Sequence, residues 1–268
     1  MRRQSPIKSM KAIVVFDIDG VLRDVGGSYR RAIADTVEHY TNSAFRPTME
    51  DIDRLKSEGI WNNDWEASQE LIYRYFEGQN QTRDLLNFNY QEIIAFFQSR
   101  YLGPDPQHWT GYICDEPLLC NSTYFQQLTQ ADIPWGFFSG ATRAEALYLL
   151  QGKLGIDQPV LVAMEDAPGK PDPTGLLEVT QQLIQQHQAD ENTPVIYIGD
   201  TVADLYTVEK AKQQQPDRSW MGVGVLPPHI QGSESRRQAY TANLQKAGAK
   251  LVLNNVLELT PLQIEELI

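Results

Sequence analysis

Cysteine is scarce in this chain of 268 residues: Cys114 and Cys120 are too few and too far apart for a zinc knuckle, and they read as ordinary thiols of a reducing compartment. Histidine is nearly as rare. His39, His108, His187 and His229 are scattered without a partner pattern and read as plain surface or helix residues. Positive charge is also in deficit, with 23 Lys and Arg against 35 Asp and Glu, a formal net charge of −12 and no compensating basic run. That balance argues against nonspecific binding to nucleic acid or to an anionic membrane. No apolar stretch approaches the ~20 residues that a bilayer span needs. Residues 1–10 form a basic tail without the apolar centre of a signal peptide, so a cytoplasmic location is expected. There is no Walker loop and no internal repeat. Gly222-Val223-Gly224-Val225 lacks the third glycine and the helix context of a dinucleotide fingerprint and reads as strand.

What the chain does have is a pair of acids one residue apart. Asp17 and Asp19 follow the apolar run Ala12-Ile13-Val14-Val15-Phe16, and the segment continues Gly20-Val21. Asp and Gly after a strand have two readings. One is a turn, which these residues favour. The other is chemical: one acid as nucleophile and a second as proton donor, at the strand end where open α/β sheets bind ligands.

Three later segments favour the second reading. Pro134-Trp135-Gly136-Phe137-Phe138-Ser139-Gly140 is an apolar strand ending in a hydroxyl. Gly169-Lys170-Pro171 sets one lysine in a tight loop, and Val195-Ile196-Tyr197-Ile198-Gly199-Asp200-Thr201-Val202-Ala203-Asp204 is another strand that delivers acids. In this order the four segments resemble the motifs of the haloacid dehalogenase superfamily, in particular its subfamily I phosphatases with a helical cap. The resemblance implies Asp17 as nucleophile, Asp19 as general acid and base, Ser139 and Lys170 as phosphate ligands, and Asp200 with Asp204 as metal-binding acids.

Electrostatics agrees with a cation at such a site. Like charges 4 Å apart repel by ~4 kcal/mol per pair at an effective dielectric near 20, so four converging carboxylates need a counter-charge. Mg²⁺ is the expected cofactor, with Asp17, the Asp19 carbonyl and Asp200 as ligands and Asp204 holding a metal-bound water. The expected reaction has Asp17 attack phosphorus and Asp19 protonate the leaving oxygen, then deprotonate the water that hydrolyses the aspartyl-phosphate. Backbone N–H groups of Gly140 and Ala141 are expected to add donors to the phosphate. Halide-displacing members lack an acid at the position of Asp19, and phosphonate-cleaving members carry a small residue there. Two alternatives to a phosphatase of a small phosphorylated metabolite stay open: a phosphomutase, and a non-catalytic binding protein on the same fold.

Periodicity divides the chain. Residues 25–113 read as an all-helical insertion, with helices after Ser28, after Thr48 and up to Gly59, around Trp65 to Phe76, and around Ile93 to Tyr101. Residues 11–24 and 114–268 alternate strand and helix, with strands near 12–17, 135–139, 160–163, 195–199, 220–225 and 250–253. The expected fold is a Rossmann-like parallel sheet with helices on both faces, interrupted by a helical cap. Asn121 of the Asn121-Ser122-Thr123 sequon is expected to cap a helix. In the insertion, Gly59-Ile60-Trp61-Asn62-Asn63-Asp64-Trp65 has two readings. Either Asp64 caps a helix while Trp packs, or Asn62 and Asn63 bind substrate hydroxyls beside a Trp61 wall, which would favour a sugar or polyol phosphate. Arg143 is read either as a ligand for a second anionic group or as a helix-surface residue.

Overall fold

The computed structural model describes residues 10–268 and divides the chain into two compact units, Met1–Arg23 with Leu118–Ile268, and Asp24–Pro117. Strand β1 (Ile13–Phe16) is buried along its whole length. After it comes the helical unit, built from α1 (Tyr29–Tyr40), α2 (Met49–Lys56), α3 (Asp64–Gly78) and α4 (Tyr90–Tyr101). The chain then returns through α5 (Ser122–Gln130), β2 (Trp135–Phe138), α6 (Arg143–Leu147), β3 (Leu161–Val162), α7 (Thr174–His187), β4 (Val195–Gly199), α8 (Val202–Gln214) and β5 (Trp220–Val225). It ends with α9 (Pro228–Gln231), α10 (Glu234–Lys246), β6 (Ala249–Leu253) and α11 (Pro261–Leu267).

All six strands are parallel, in the order β3-β2-β1-β4-β5-β6. The continuous apolar runs of β1, β4 and β5 follow from this, because a parallel sheet is covered on both faces. One face packs Val14, Phe16, Phe137, Ile196 and Val223 against α5 and the C-terminal helix. The other packs Ile13, Val15, Val195 and Tyr197 against Leu176, Val179 and Leu183 of α7 and Val208 of α8. The order runs outward from β1 in one direction and from β4 in the other. The crevice beyond the carboxyl ends of β1 and β4 is therefore the switch point where such sheets take ligands.

The helical unit buries Ile33, Val37, Ile52, Leu55, Ile72, Ile93 and Phe97. His39 stacks on Phe96 with ring centroids 4.1 Å apart, and buried Arg30 reaches Asp53 at 2.8 Å. Thr48 and Asp51 make the reciprocal capping box of α2, and Gly59, at φ +78°, turns the chain just after it. Two local expectations are corrected. Ser28 precedes α1 but its hydroxyl donates to the Val25 carbonyl and caps nothing. The cap of α3 is Asn63, one residue before Asp64: Asn63 Oδ1 accepts from Trp65 N at 2.9 Å and Glu66 N at 3.3 Å. Asp64 becomes the first helical residue and pairs with Lys56 at 2.8 Å. Asn121 caps α5, as its sequence context suggests.

Candidate active site

Asp17 is the first residue beyond β1, its N–H held by the Ile198 carbonyl of β4 at 2.8 Å. The chain then turns tightly. Leu22 N–H reaches the Ile18 carbonyl at 2.8 Å and Gly20 N–H the Arg23 carbonyl at 3.0 Å, so Asp19 sits at the edge of a closed loop. Gly20 is required twice over: its φ is +76°, and a Cβ there would collide with Asp200 Oδ2. Asp200 follows β4, and Thr201 caps α8 through the reciprocal box it makes with Asp204. Gly199 lets Asp204 fold back onto the strand end, since a Cβ at 199 would overlap the Asp204 carboxylate.

Lys170 Nζ joins these strand ends, 2.8 Å from Asp17 Oδ1 and 2.7 Å from Asp204 Oδ1. All three side chains are nearly inaccessible. Burial pushes the Asp17 carboxyl up to about 7, against the pull of Lys170. Asp204 moves the other way: burial alone would raise it, but the Lys170 ammonium and the Thr201 donors hold it below the usual carboxylate range. Lys170 is raised, because the two carboxylates outweigh the cost of burying its charge. Asp17, Asp200 and Asp204 each offer an oxygen within 4.8 Å of the others, a cluster of hard donors suited to a divalent cation.

Sequence reasoning missed Tyr197 and Phe138. The Tyr197 hydroxyl lies 3.1 Å from Asp204 Oδ1 and 3.1 Å from the Phe138 carbonyl, and both rings lie within 5.4 Å of the Lys170 ammonium. A tyrosine in an otherwise aliphatic buried strand was the available signal, because its hydroxyl needs a polar partner. Arg23 was missed as well. It is fully buried, and its Nε donates to Asp19 Oδ1 at 2.5 Å.

Ser139, just beyond β2, is buried, and its Oγ accepts from Ala141 N at 3.1 Å. Ala141 N–H, an expected phosphate donor, meets Ser139 Oγ here, whereas Gly140 N–H takes no partner among the described residues. Arg143 is engaged elsewhere. Its guanidinium pairs with Asp166 and its N–H with Glu165. In the helical unit, Trp61 Nε1 donates to Glu58 at 2.7 Å and Asn63 is spent as a cap, while Asn62 makes no hydrogen bond among the described residues. No helix among the described residues is long and apolar enough to cross a membrane.

A relative in Phytophthora nicotianae, an imidazoleglycerol-phosphate dehydratase, is 29% identical over 96% of this chain, and the chain spans about half of that protein's length (53%). Among solved structures, a phosphonoacetaldehyde hydrolase like protein from Oleispira antarctica superposes with a TM-score of 0.65 at 14% identity, covering 99% of this chain and 96% of that one. Phosphatase Tt82 from Thermococcus thioreducens gives 0.59 at 24% identity, covering 85% and 98%. These likenesses establish the shared fold. Residues 11–212 match the family model of the haloacid dehalogenase-like hydrolases, and the chain belongs to that family.

Proposed function

We propose that this hydrolase is a Mg²⁺-dependent phosphomonoesterase of a small phosphorylated metabolite, a sugar or polyol phosphate, working through an aspartyl-phosphate. The observation that carries the reading is the buried ammonium of Lys170 bridging Asp17 and Asp204 at the switch point of the sheet. A lone lysine between two of three clustered acids leaves excess negative charge, which a divalent ion would balance so that a phosphate dianion can enter.

The residues fit the ion. Gly20 brings the Asp19–Gly20 backbone hard against Asp200, so a main-chain carbonyl and two carboxylates, Asp17 and Asp200, would hold it with oxygen alone. Asp204 serves it less directly, because its oxygens already take Lys170, Tyr197 and Thr201. When bound, the ion supplies positive charge to the phosphate oxygens.

Asp17 attacks phosphorus, the bond to the ester oxygen breaks, and Asp19 delivers its proton to that oxygen. Asp19, now a carboxylate, takes a proton from water as the water attacks the aspartyl-phosphate, which regenerates both acids and releases inorganic phosphate. Ser139 Oγ, Gly140 N–H and Lys170 Nζ are the donors to the equatorial oxygens. The phosphorylated polyol in the name of the Phytophthora relative supports the substrate class. The test is a panel of sugar and polyol phosphates, imidazoleglycerol phosphate included, assayed for inorganic phosphate with Mg²⁺ and with chelator. Metal-dependent release from one class supports the reading, while isomerisation without net phosphate release would make the protein a mutase.

A further inference from the structure

An arginine with no exposed surface stands four residues after the proposed acid. Burying a guanidinium costs several kcal/mol, and an aliphatic side chain often fills such a space at no loss of stability. Its presence therefore calls for a role beyond packing. Asp19 is one of its partners: Arg23 Nε donates to Asp19 Oδ1 at 2.5 Å, in the charge-assisted geometry that is both short and directional. The main chain reinforces the link, since Asp19 and Arg23 form a parallel bridge and Gly20 N–H reaches the Arg23 carbonyl at 3.0 Å. The two oxygens of Asp19 are thus unlike. Oδ1 is held by a rigid buried donor, whereas Oδ2 makes no hydrogen bond among the described residues and the side chain stays partly open to solvent.

We propose that Arg23 is the positioning residue of the general acid: it pins Asp19 Oδ1 so that Oδ2 is the oxygen that gives and takes the proton. This rests on the reading of Asp19 as the acid and base of a phosphomonoesterase. In this role the fully buried Arg23 acts on Asp19 and not on phosphate or leaving group. Its effect therefore scales with how much the leaving oxygen needs a proton, which a merely structural arginine would not reproduce.

The experiment is a double-mutant cycle of Arg23→Met and Asp19→Asn, with Arg23→Lys as a second variant, assayed with Mg²⁺ on an alkyl and an activated aryl phosphate and checked by thermal melting. Misplacing a reacting group by about 1 Å costs up to ~100-fold, so Arg23→Met is expected to lower kcat on the alkyl ester by roughly 10- to 100-fold. KM and aryl-ester turnover should hold nearly constant, and Arg23→Lys should fall between. In the Asp19→Asn background, adding Arg23→Met should change kcat by no more than about twofold, the scatter of independent sites. Equal losses on both esters, an undiminished effect in the Asp19→Asn background, or an alkyl-ester kcat unaffected by Arg23→Met would each overturn the proposal. If Asp19→Asn alone is impaired on the alkyl ester and Arg23→Met is not, only the role of Arg23 falls. If Asp19→Asn leaves alkyl-ester turnover intact, the acid assignment falls and takes the positioning role with it.

Discussion

The ammonium of Lys170 lies 2.8 Å from Asp17 Oδ1, with both side chains withdrawn from solvent. Asp204 takes a second bond from the same ammonium, so one cation serves two buried carboxylates. Breaking a buried pair by removing one partner leaves an uncompensated charge and costs ~3–5 kcal/mol. Lys170→Met is therefore expected to lower the melting temperature markedly as well as to abolish phosphate release. A variant that melts like the wild type would mean that solvent reaches the two acids.

The same pair sets a pH dependence. The folded Asp17 carboxyl, pushed up to about 7 from 3.8, holds its proton more tightly than it does in the unfolded chain. Its contribution to stability is full below the unfolded value and is lost as the pH rises through about 7. In chelator, the melting temperature of the wild type should fall between pH 6 and pH 8 more steeply than that of Asp17→Asn. Because the ion requires the deprotonated carboxylate, the thermal upshift caused by Mg²⁺ should grow over the same interval. Parallel slopes for the two proteins would show that Asp17 does not titrate there.

Asp19→Ala should retain the ion, since a backbone carbonyl is the proposed ligand at that residue. General acid catalysis contributes ~10²–10⁴-fold, and the loss should fall on alkyl phosphates far more than on activated aryl phosphates. Isothermal titration with Mg²⁺ and turnover of the two esters check both halves of this expectation. Equal losses on both esters would make Asp19 structural.

Gly20→Ala should damage the site without removing any of its functional groups. A left-handed conformation costs an L-residue ~1–2 kcal/mol, and the added Cβ would push directly on Asp200. Mg²⁺ affinity is expected to drop together with the melting temperature. Unchanged affinity would contradict the proposed shared space of the Asp19–Gly20 backbone and Asp200.

Asn63→Ala tests the segment before α3. Losing an Asn cap costs ~1 kcal/mol, so the melting temperature should fall modestly, with the same fractional change in turnover on every phosphate ester. A selective loss on one sugar or polyol phosphate, with stability unchanged, would restore to Asn63 the substrate role that its capping bonds argue against.

Much of this site is legible in the sequence because of where parallel sheets put their chemistry. Strands such as β1 and β4 are buried on both faces and read as unbroken apolar runs, so the first acid after each run, Asp17 or Asp200, marks a strand end without any knowledge of the fold. Tyr197 and Arg23 are another matter. Both sit inside or next to apolar segments where pattern says core, and what they do is fixed by side chains that only the tertiary structure brings near. The cap of α3 was misplaced by one residue for a local reason: Asn63 and Asp64 are both good caps, and only the first turn of the helix chooses between them. Arg143 reads as an available cation until the turn after β3 supplies Asp166.

Inorganic phosphate released by Asp17→Asn, measured with saturating Mg²⁺ on the best ester of the panel, tests the proposed nucleophile most directly. The wild type should release phosphate in a reaction that chelator stops, and the variant should release none above background while still folding. Sustained, Mg²⁺-dependent turnover by Asp17→Asn would contradict the proposed aspartyl-phosphate route.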